Sequence, residues 1–148
     1  HEMITVQQRP CIVEGFDSLL DRAGKIVGVS NNFALLEAID GEARSLFGAR
    51  ATVARSQAYY LDFVPSGIDK GLAVRELTEA AGIPLAETVV LGDMENDVPM
   101  FGQAGFSIAM GNASEAVKGA ARVATLSNDE DGFAAAIERF VLPRAGGA

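Results

Sequence analysis

Asp93, Asn96 and Asp97 lie within one turn of chain in the segment from Gly92 to Asp97, so their side-chain oxygens can converge on one point. This segment follows the apolar run Thr88–Leu91, which is typical of a strand buried on both faces of a parallel sheet. Ligands of open α/β sheets bind at the carboxyl ends of the strands. Mg²⁺ prefers oxygen ligands and takes one or two carboxylates together with water or phosphate. The pattern therefore indicates a magnesium or phosphate site, and an acidic turn that caps the next helix is the alternative.

Lys70 adds a positive charge to this cluster. It begins a predicted helix that precedes the Thr88–Leu91 strand, so it can reach the same edge of the sheet. A lysine ammonium at that edge pairs with a phosphate or with a neighbouring carboxylate. The alternative is an exposed lysine in the first turn, which the helix dipole makes slightly unfavourable. A lysine at the start of a helix, followed by a strand that ends in Gly-Asp-x-x-Asn-Asp, favours a site that binds phosphate.

The elements that must position these residues alternate between helix and strand. Apolar residues at helical spacing predict a helix from Lys70 to Ala81, which Gly82 ends. Further strands are predicted over 106–110 and 123–124, and short helices over 97–102 and 114–118. A last helix from about 132 to 141 is predicted to bury one face, formed by Phe133, Ile137, Phe140 and Val141. This alternation is typical of an α/β fold with a parallel sheet.

The first 66 residues have a different pattern. Strands are predicted over 25–30, 51–54 and 59–64, and one amphipathic helix over 33–47. Strands arranged around one helix favour an α+β unit whose sheet is at least partly antiparallel. The change of pattern near Pro65-Ser66-Gly67 divides the chain into predicted domains 1–66 and 67–148.

Composition and charge exclude several classes of function. Hydrophobic residues make up 49% of the chain, as in a globular protein, and a net charge of -8 disfavours a nucleic-acid partner. One cysteine, Cys11, and one histidine, His1, exclude internal disulfides, thiolate zinc sites and Ser-His-Asp triads. Because no apolar run is long enough to span a bilayer and no signal peptide opens the chain, we expect no membrane partner and a cytoplasmic location.

Four stretches resemble the Cof-type branch of the haloacid dehalogenase superfamily. Members of this branch are Mg²⁺-dependent phosphatases that use an aspartate nucleophile. The four stretches are Tyr59–Asp62 leading to Asp69-Lys70-Gly71, Leu91–Asp97 with Pro99-Met100-Phe101, Ala109–Ala113, and Ser127–Phe133. The resemblance covers most of residues 25 to 142. It implies a Rossmann-like parallel sheet, here incomplete, with residues before about Ser66 forming part of an α+β cap that selects substrates.

The resemblance also implies roles for individual residues. Lys70 is the catalytic lysine that neutralises the nucleophile and binds the substrate phosphate. Asp93 is the Mg²⁺ ligand of the core, and Asn96 contacts the substrate phosphate. Asp97 orients Lys70 or orders a metal-bound water, so that it belongs to both the catalytic and the metal-binding groups. The implied substrate is a small phosphorylated metabolite.

The family's nucleophile motif is not found in these 148 residues. The motif is Asp-x-Asp at the end of an apolar strand, whereas Asp129 and Asp131 have that spacing within a polar turn. The chain thus reads as part of the cap plus the C-terminal half of the core, and we expect it to be inactive alone. Its expected partner is the missing N-terminal half, encoded in the same gene or present as a separate chain. The sequence does not decide between a monomer and a homo-oligomer.

Three other interpretations account for some of the same residues. A magnesium- or phosphate-binding module without catalysis fits the missing nucleophile. A receiver-like domain uses similar residues, but there the acidic cluster would not follow the lysine. The stretch Ser127–Gly132 with Glu138 has the spacing of a calcium-binding loop, but serine replaces its first aspartate and no helix leads into it, which favours a turn with a helix cap.

Overall fold

The computed structural model describes residues 9 to 145, and these form two three-stranded sheets. The first sheet is antiparallel, has the order β1-β3-β2, and consists of β1 (Ile26–Val29), β2 (Ala51–Ala54) and β3 (Tyr60–Pro65). The second is parallel, has the order β4-β5-β6, and consists of β4 (Val89–Gly92), β5 (Phe106–Ala109) and β6 (Val123–Ala124). One antiparallel and one parallel sheet agree with the predicted fold class, whereas the predicted domains 1–66 and 67–148 stay a prediction.

The two longest helices run over the predicted residues. They are α2 (Phe33–Phe47) and α3 (Lys70–Ala81), and Gly82 ends α3 in the left-handed conformation, with φ +66°. The other helices are α1 (Asp17–Leu20), α4 (Val98–Phe101), α5 (Glu115–Ala120), α6 (Gly132–Ala136) and α7 (Leu142–Ala145). Short 3₁₀ turns cover Gly48–Arg50, Leu85–Glu87, Glu95–Asp97 and Asn128–Glu130. None of the helices within residues 9–145 has the length and apolarity that crossing a membrane requires.

The antiparallel sheet packs one face on α2. Leu36 and Ala43 of that helix form a core with Val53 of β2 and Leu61 of β3, and Phe47 and Phe63 flank it. Because successive strand residues point to opposite faces, Asp62 and Val64 lie on the other face of β3. That other face lies towards the second half of the chain.

The parallel sheet is the buried centre of the second half. All four residues of β5 are buried, with helix-borne apolar clusters on both sides of the sheet. Within the described residues β4 pairs with β5 alone, so its other edge is unpaired. The predicted incomplete parallel sheet with part of an α+β cap is therefore the observed fold class.

The last helix differs from its prediction. It is continuous in space, but residues Ile137–Val141 form a π-helical segment between α6 and α7. Phe133 was expected on the buried face, yet it is 62% exposed. The buried face is centred one position away, on Gly132 and Ala136, because a Cβ at Gly132 would lie 2.0 Å from the carbonyl oxygen of Leu126. This close backbone contact sets the rotation of the helix.

Candidate active site

Lys70 and Asp97 form an ion pair between the two elements that the sequence placed at the sheet edge. Lys70 is the first residue of α3, and Asp69 caps that helix by accepting a hydrogen bond from the N–H of Leu72 at 2.8 Å. The Lys70 ammonium donates a hydrogen bond to Asp97 Oδ1. About half of the lysine side chain remains exposed, whereas Asp97 is 3% exposed. The lysine charge is thus held at the sheet edge and still reaches solvent.

Asp97 also organises the loop that follows β4. Its Oδ2 accepts hydrogen bonds from the backbone N–H groups of Asp93 at 2.8 Å and Met94 at 3.0 Å. A Cβ at Gly92 would lie 2.4 Å from the Cβ of Asp97, so glycine at this strand end makes room for the carboxylate. Both oxygens of Asp97 are therefore engaged with protein donors, an arrangement that suits the predicted orienting function of this residue.

Asp93 lies at the carboxyl end of β4 and contacts an asparagine from the loop that follows the neighbouring strand β5. The Nδ2 group of Asn112 donates a hydrogen bond to Asp93 Oδ2 at 2.8 Å. Asn112 Oδ1 in turn accepts one from the N–H of Asn128 at 3.1 Å. The side chain of Asp93 is thus fixed by a short hydrogen-bonded chain that reaches the loop before α6.

Asn96 and Lys70 line the same cavity. This space, here called the inter-sheet cavity, has a volume of about 420 Å³ and lies between the open face of the antiparallel sheet and the α3–β4 side of the core. Its polar lining includes Lys25, Arg44, Asp62, Asp69, Lys70 and Asn96. Asn96 is half-buried, and its Oδ1 atom has no hydrogen-bond partner. An unpaired buried oxygen on a residue that lines a cavity is suited to a ligand or water that brings its own donor.

The predicted site residues divide between two neighbouring cavities. Asp93 lines a smaller cavity of about 210 Å³, together with Arg55, Asn112 and Ser114. Glu95 lines both cavities, and Asp97 lies between them, with its side chain on Lys70 and on the backbone of Asp93. The structure thus brings all four predicted residues to one edge of the parallel sheet.

The carboxylate oxygens at this edge of the sheet could supply part of the coordination sphere of Mg²⁺. Within residues 9–145, no three acidic, histidine or cysteine side chains converge on a common point. Mg²⁺ commonly takes only one or two protein carboxylates and completes its shell with water and substrate phosphate. Asp93, which is half-buried and oriented by Asn112, is a carboxylate of that kind. The metal-ligand roles of Asp93 and Asp97 stay predictions.

Three residues of the site, Asn112, Lys25 and Asp62, were missed by reasoning from the sequence. Asn112 lies in one of the four family-like stretches and directly after a buried strand, which is the signal that could have assigned it to the site. Lys25 and Asp62 form a salt bridge at 2.8 Å that lines the inter-sheet cavity. The sequence signal for this pair is a single acidic residue, Asp62, in an otherwise apolar predicted strand.

The turn at Ser127–Gly132 is a helix-capping structure. Ser127 and Glu130 form a capping box, and Asp131 takes the left-handed conformation before α6. The hydrogen bond from the Ser127 hydroxyl, and then that from its backbone N–H, lowers the pKa of Glu130 below its ordinary value. The prediction of a turn and cap rather than a calcium loop agrees with this geometry, and Asp129 and Asp131 belong to this turn.

A family model and several known proteins match this chain. The sequence model of the haloacid dehalogenase-like hydrolases matches residues 3–137. A phosphoglycolate phosphatase of Archaeoglobus fulgidus is 36% identical over 103 residues, which is 70% of this chain and 46% of that protein. The chloroplastic endoribonuclease YBEY of Arabidopsis thaliana is 39% identical over 95 residues, which is 64% of this chain and 16% of that protein.

Solved structures have the same fold. A haloacid dehalogenase-like hydrolase from Bacteroides thetaiotaomicron superposes with a TM-score of 0.73 at 37% identity, covering 93% of this chain and 52% of that one. A subclass IIB sugar phosphatase superposes with a TM-score of 0.69 at 29% identity, covering 78% and 42%. The chain spans less than half the length of these curated relatives and about half of these solved chains. On the family match over residues 3–137 and on these superpositions, the chain belongs to the haloacid dehalogenase-like hydrolases.

Proposed function

We propose that the chain is the C-terminal part of a Mg²⁺-dependent phosphate-monoester hydrolase of the Cof type that acts on a small phosphorylated metabolite. One observation carries the proposal. The Lys70–Asp97 pair holds an ammonium group beside the loop that bears Asp93, at the sheet edge where such folds bind ligands. The phosphatase names of the A. fulgidus relative and of the subclass IIB structure support the reaction class.

In this proposal each site residue acts on the phosphoryl group or on a neighbour of it. Lys70 offsets negative charge on the transferring phosphoryl group, and Asp97 fixes the position of the lysine. The amide Nδ2 group of Asn96 donates a hydrogen bond to a phosphate oxygen, and Asp93 is the carboxylate in this chain that would hold Mg²⁺. When bound, the metal supplies Lewis-acid stabilisation of phosphoryl charge.

The nucleophile is proposed to lie outside these 148 residues, on an N-terminal half that pairs with the free edge of β4. Half-buried Val89, Val90 and Leu91 make that edge apolar, and such edges are normally covered. An aspartate of that half attacks phosphorus, the ester oxygen leaves, and water then hydrolyses the aspartyl-phosphate. Residues before about Ser66 then act as part of the cap, and residues 67–148 as half of the core.

Turnover of p-nitrophenyl phosphate tests the proposal. The 148-residue chain alone is expected to show none, and co-expression with the N-terminal half is expected to give Mg²⁺-dependent release of nitrophenol. A monomeric 148-residue chain that hydrolyses the ester would contradict the assignment of the nucleophile.

A second candidate is a Mg²⁺- or phosphate-binding module without catalysis. The lack of an Asp-x-Asp motif at a strand end favours it. It predicts binding of inorganic phosphate with no turnover, even when the N-terminal half is supplied.

The remaining partners follow from charge and exposure. The net charge of -8 opposes binding to nucleic acids or anionic membranes. Cys11 is exposed, and a lone exposed thiol suits the reducing conditions of the cytoplasm, which we propose as the location.

A further inference from the structure

Two buried side-chain oxygens within residues 9–145 have no hydrogen-bond partner, and both belong to residues that line the inter-sheet cavity. They are Asp62 Oδ1 and Asn96 Oδ1. Leaving a buried acceptor unpaired costs free energy, so such atoms are rare unless a ligand or water supplies the donor. The amide nitrogen of Asn96 already has a function in the proposed phosphate site, whereas the proposed reaction gives Asp62 no function.

Asp62 lies at the centre of the open face of the antiparallel sheet. On the middle strand β3 it is paired in register with Val27 of β1 and Ala54 of β2. Its neighbours Leu61 and Phe63 pack towards α2 instead. Asp62 is 6% exposed, so a carboxylate occupies a position where an apolar residue would be expected for stability alone.

Lys25 leaves one oxygen of this carboxylate available. Its ammonium lies 2.8 Å from Asp62 Oδ2 and neutralises the charge, while Oδ1 remains without a donor. Since the charge is already balanced, a neutral donor such as a hydroxyl is the best complement for Oδ1. The rest of the cavity wall is largely apolar, with Val53, Val64, Ile68, Ala73 and Pro99, and suits the C–H faces of a carbon skeleton.

These observations rest on the proposed function for the position of the phosphate and extend it to the rest of the substrate. We propose that Asp62, held by Lys25, is a specificity-determining residue that accepts a hydrogen bond from a hydroxyl of the leaving group. The enzyme then selects phosphate esters of sugars or polyols over esters of similar shape that lack hydroxyls.

Binding of two esters matched in shape tests this proposal. Glucose 6-phosphate and cyclohexylmethyl phosphate share a six-membered ring and a phosphate, but only the first carries ring hydroxyls. Calorimetric titration of the 148-residue chain assembled with the N-terminal half, in EDTA to prevent turnover, is expected to show about tenfold tighter binding of the sugar ester, as one hydrogen bond to a charged group provides.

The double variant Lys25→Met/Asp62→Leu replaces the ion pair by apolar side chains of similar shape, so no charge is left unpaired. It is expected to lose the tenfold preference and to keep its affinity for cyclohexylmethyl phosphate. The matched control Lys118→Met/Glu115→Leu removes an ion pair outside the cavity and is expected to keep the preference. Where the first double variant fails to fold, Asp62→Asn is titrated instead and is expected to reduce the preference about threefold, since a neutral acceptor replaces a charged one.

An unchanged preference in the Asp62 variants overturns the proposal, and so does a wild-type assembly that binds neither ester or binds both equally. Failure of the proposed function has a different signature. It is the absence of p-nitrophenyl phosphate turnover with Mg²⁺, which is measured separately and does not depend on ring hydroxyls.

Discussion

The ammonium group of Lys70 donates a hydrogen bond to the buried carboxylate of Asp97, across 27 residues of chain. The second oxygen of the same carboxylate accepts a hydrogen bond from the backbone of Asp93. One side chain therefore fixes both the proposed catalytic lysine and the loop that carries the proposed metal ligand. Charge and backbone are placed before a substrate arrives, which is how a preorganised site lowers a barrier.

Removing the charge of Lys70 is expected to affect catalysis more than binding. In the assembled enzyme, Lys70→Ala is expected to lower kcat by about a hundredfold or more with a smaller change in KM, because charge develops on the phosphoryl oxygens during transfer. Lys70→Arg is expected to restore only part of the loss, since a planar fork replaces a compact ammonium. Steady-state kinetics with p-nitrophenyl phosphate measure both, with Lys118→Ala as a control. A near-normal kcat in Lys70→Ala would contradict the catalytic role and favour the alternative of an exposed lysine in the first turn of the helix.

Asp97→Asn is expected to destabilise the fold as well as to impair catalysis. An amide nitrogen must then face either the Lys70 ammonium or the N–H groups of Asp93 and Met94, and each is a donor. The free energy of unfolding is expected to fall by about 1–3 kcal/mol, the cost of leaving a buried group unsatisfied. Urea unfolding of the assembled enzyme measures the change against the exposed variant Asp129→Asn. Equal stability of the two variants would show that the hydrogen bonds of Asp97 contribute little.

Asp93→Asn is expected to abolish Mg²⁺-dependent turnover and to leave the fold intact. The side chain is half-buried, and asparagine keeps an acceptor for the Nδ2 group of Asn112, so packing is retained. The loss of a hard anionic oxygen removes the ligand that Mg²⁺ prefers. Circular dichroism checks the fold and a magnesium titration of activity checks the metal. Unchanged turnover at every magnesium concentration would rule Asp93 out as the ligand.

Asn112 is expected to act as a positioning residue for Asp93. Asn112→Ala removes the hydrogen bond to Asp93 Oδ2 and the acceptor for Asn128 N–H, so the carboxylate loses its fixed orientation. Loss of such a partner typically weakens metal affinity by about 10- to 100-fold. The apparent magnesium affinity is expected to fall while kcat at saturating magnesium changes much less. The exposed variant Asn31→Ala is the control, and the same magnesium dependence in both variants would refute the positioning role.

The features of the fold and of the site that could be predicted are those whose sequence signal lies within a few residues. The bounds of α2 and α3 follow from helical periodicity, the Asp69 cap and Gly82, all of which act within a few residues. Lys70 and Asp97 could be placed at one sheet edge because each lies beside a recognisable strand or helix end. The Lys25–Asp62 pair and the Asn112–Asp93 contact depend on strand register and on packing between distant segments, which periodicity does not encode. Phe133 was misplaced for the same reason, since a backbone contact at Gly132 sets the rotation of that helix.

The location of the phosphoryl group during turnover tests the central proposal most directly. The 148-residue chain and the N-terminal half are assembled as two polypeptides and mixed with a phosphate ester and Mg²⁺. The reaction is quenched in acid, and the mass of each polypeptide is measured by mass spectrometry. The proposed mechanism predicts the added mass of one phosphoryl group on the N-terminal half and none on the 148-residue chain. A phosphoryl group found on the 148-residue chain would contradict it, because the nucleophile would then lie among the residues described here.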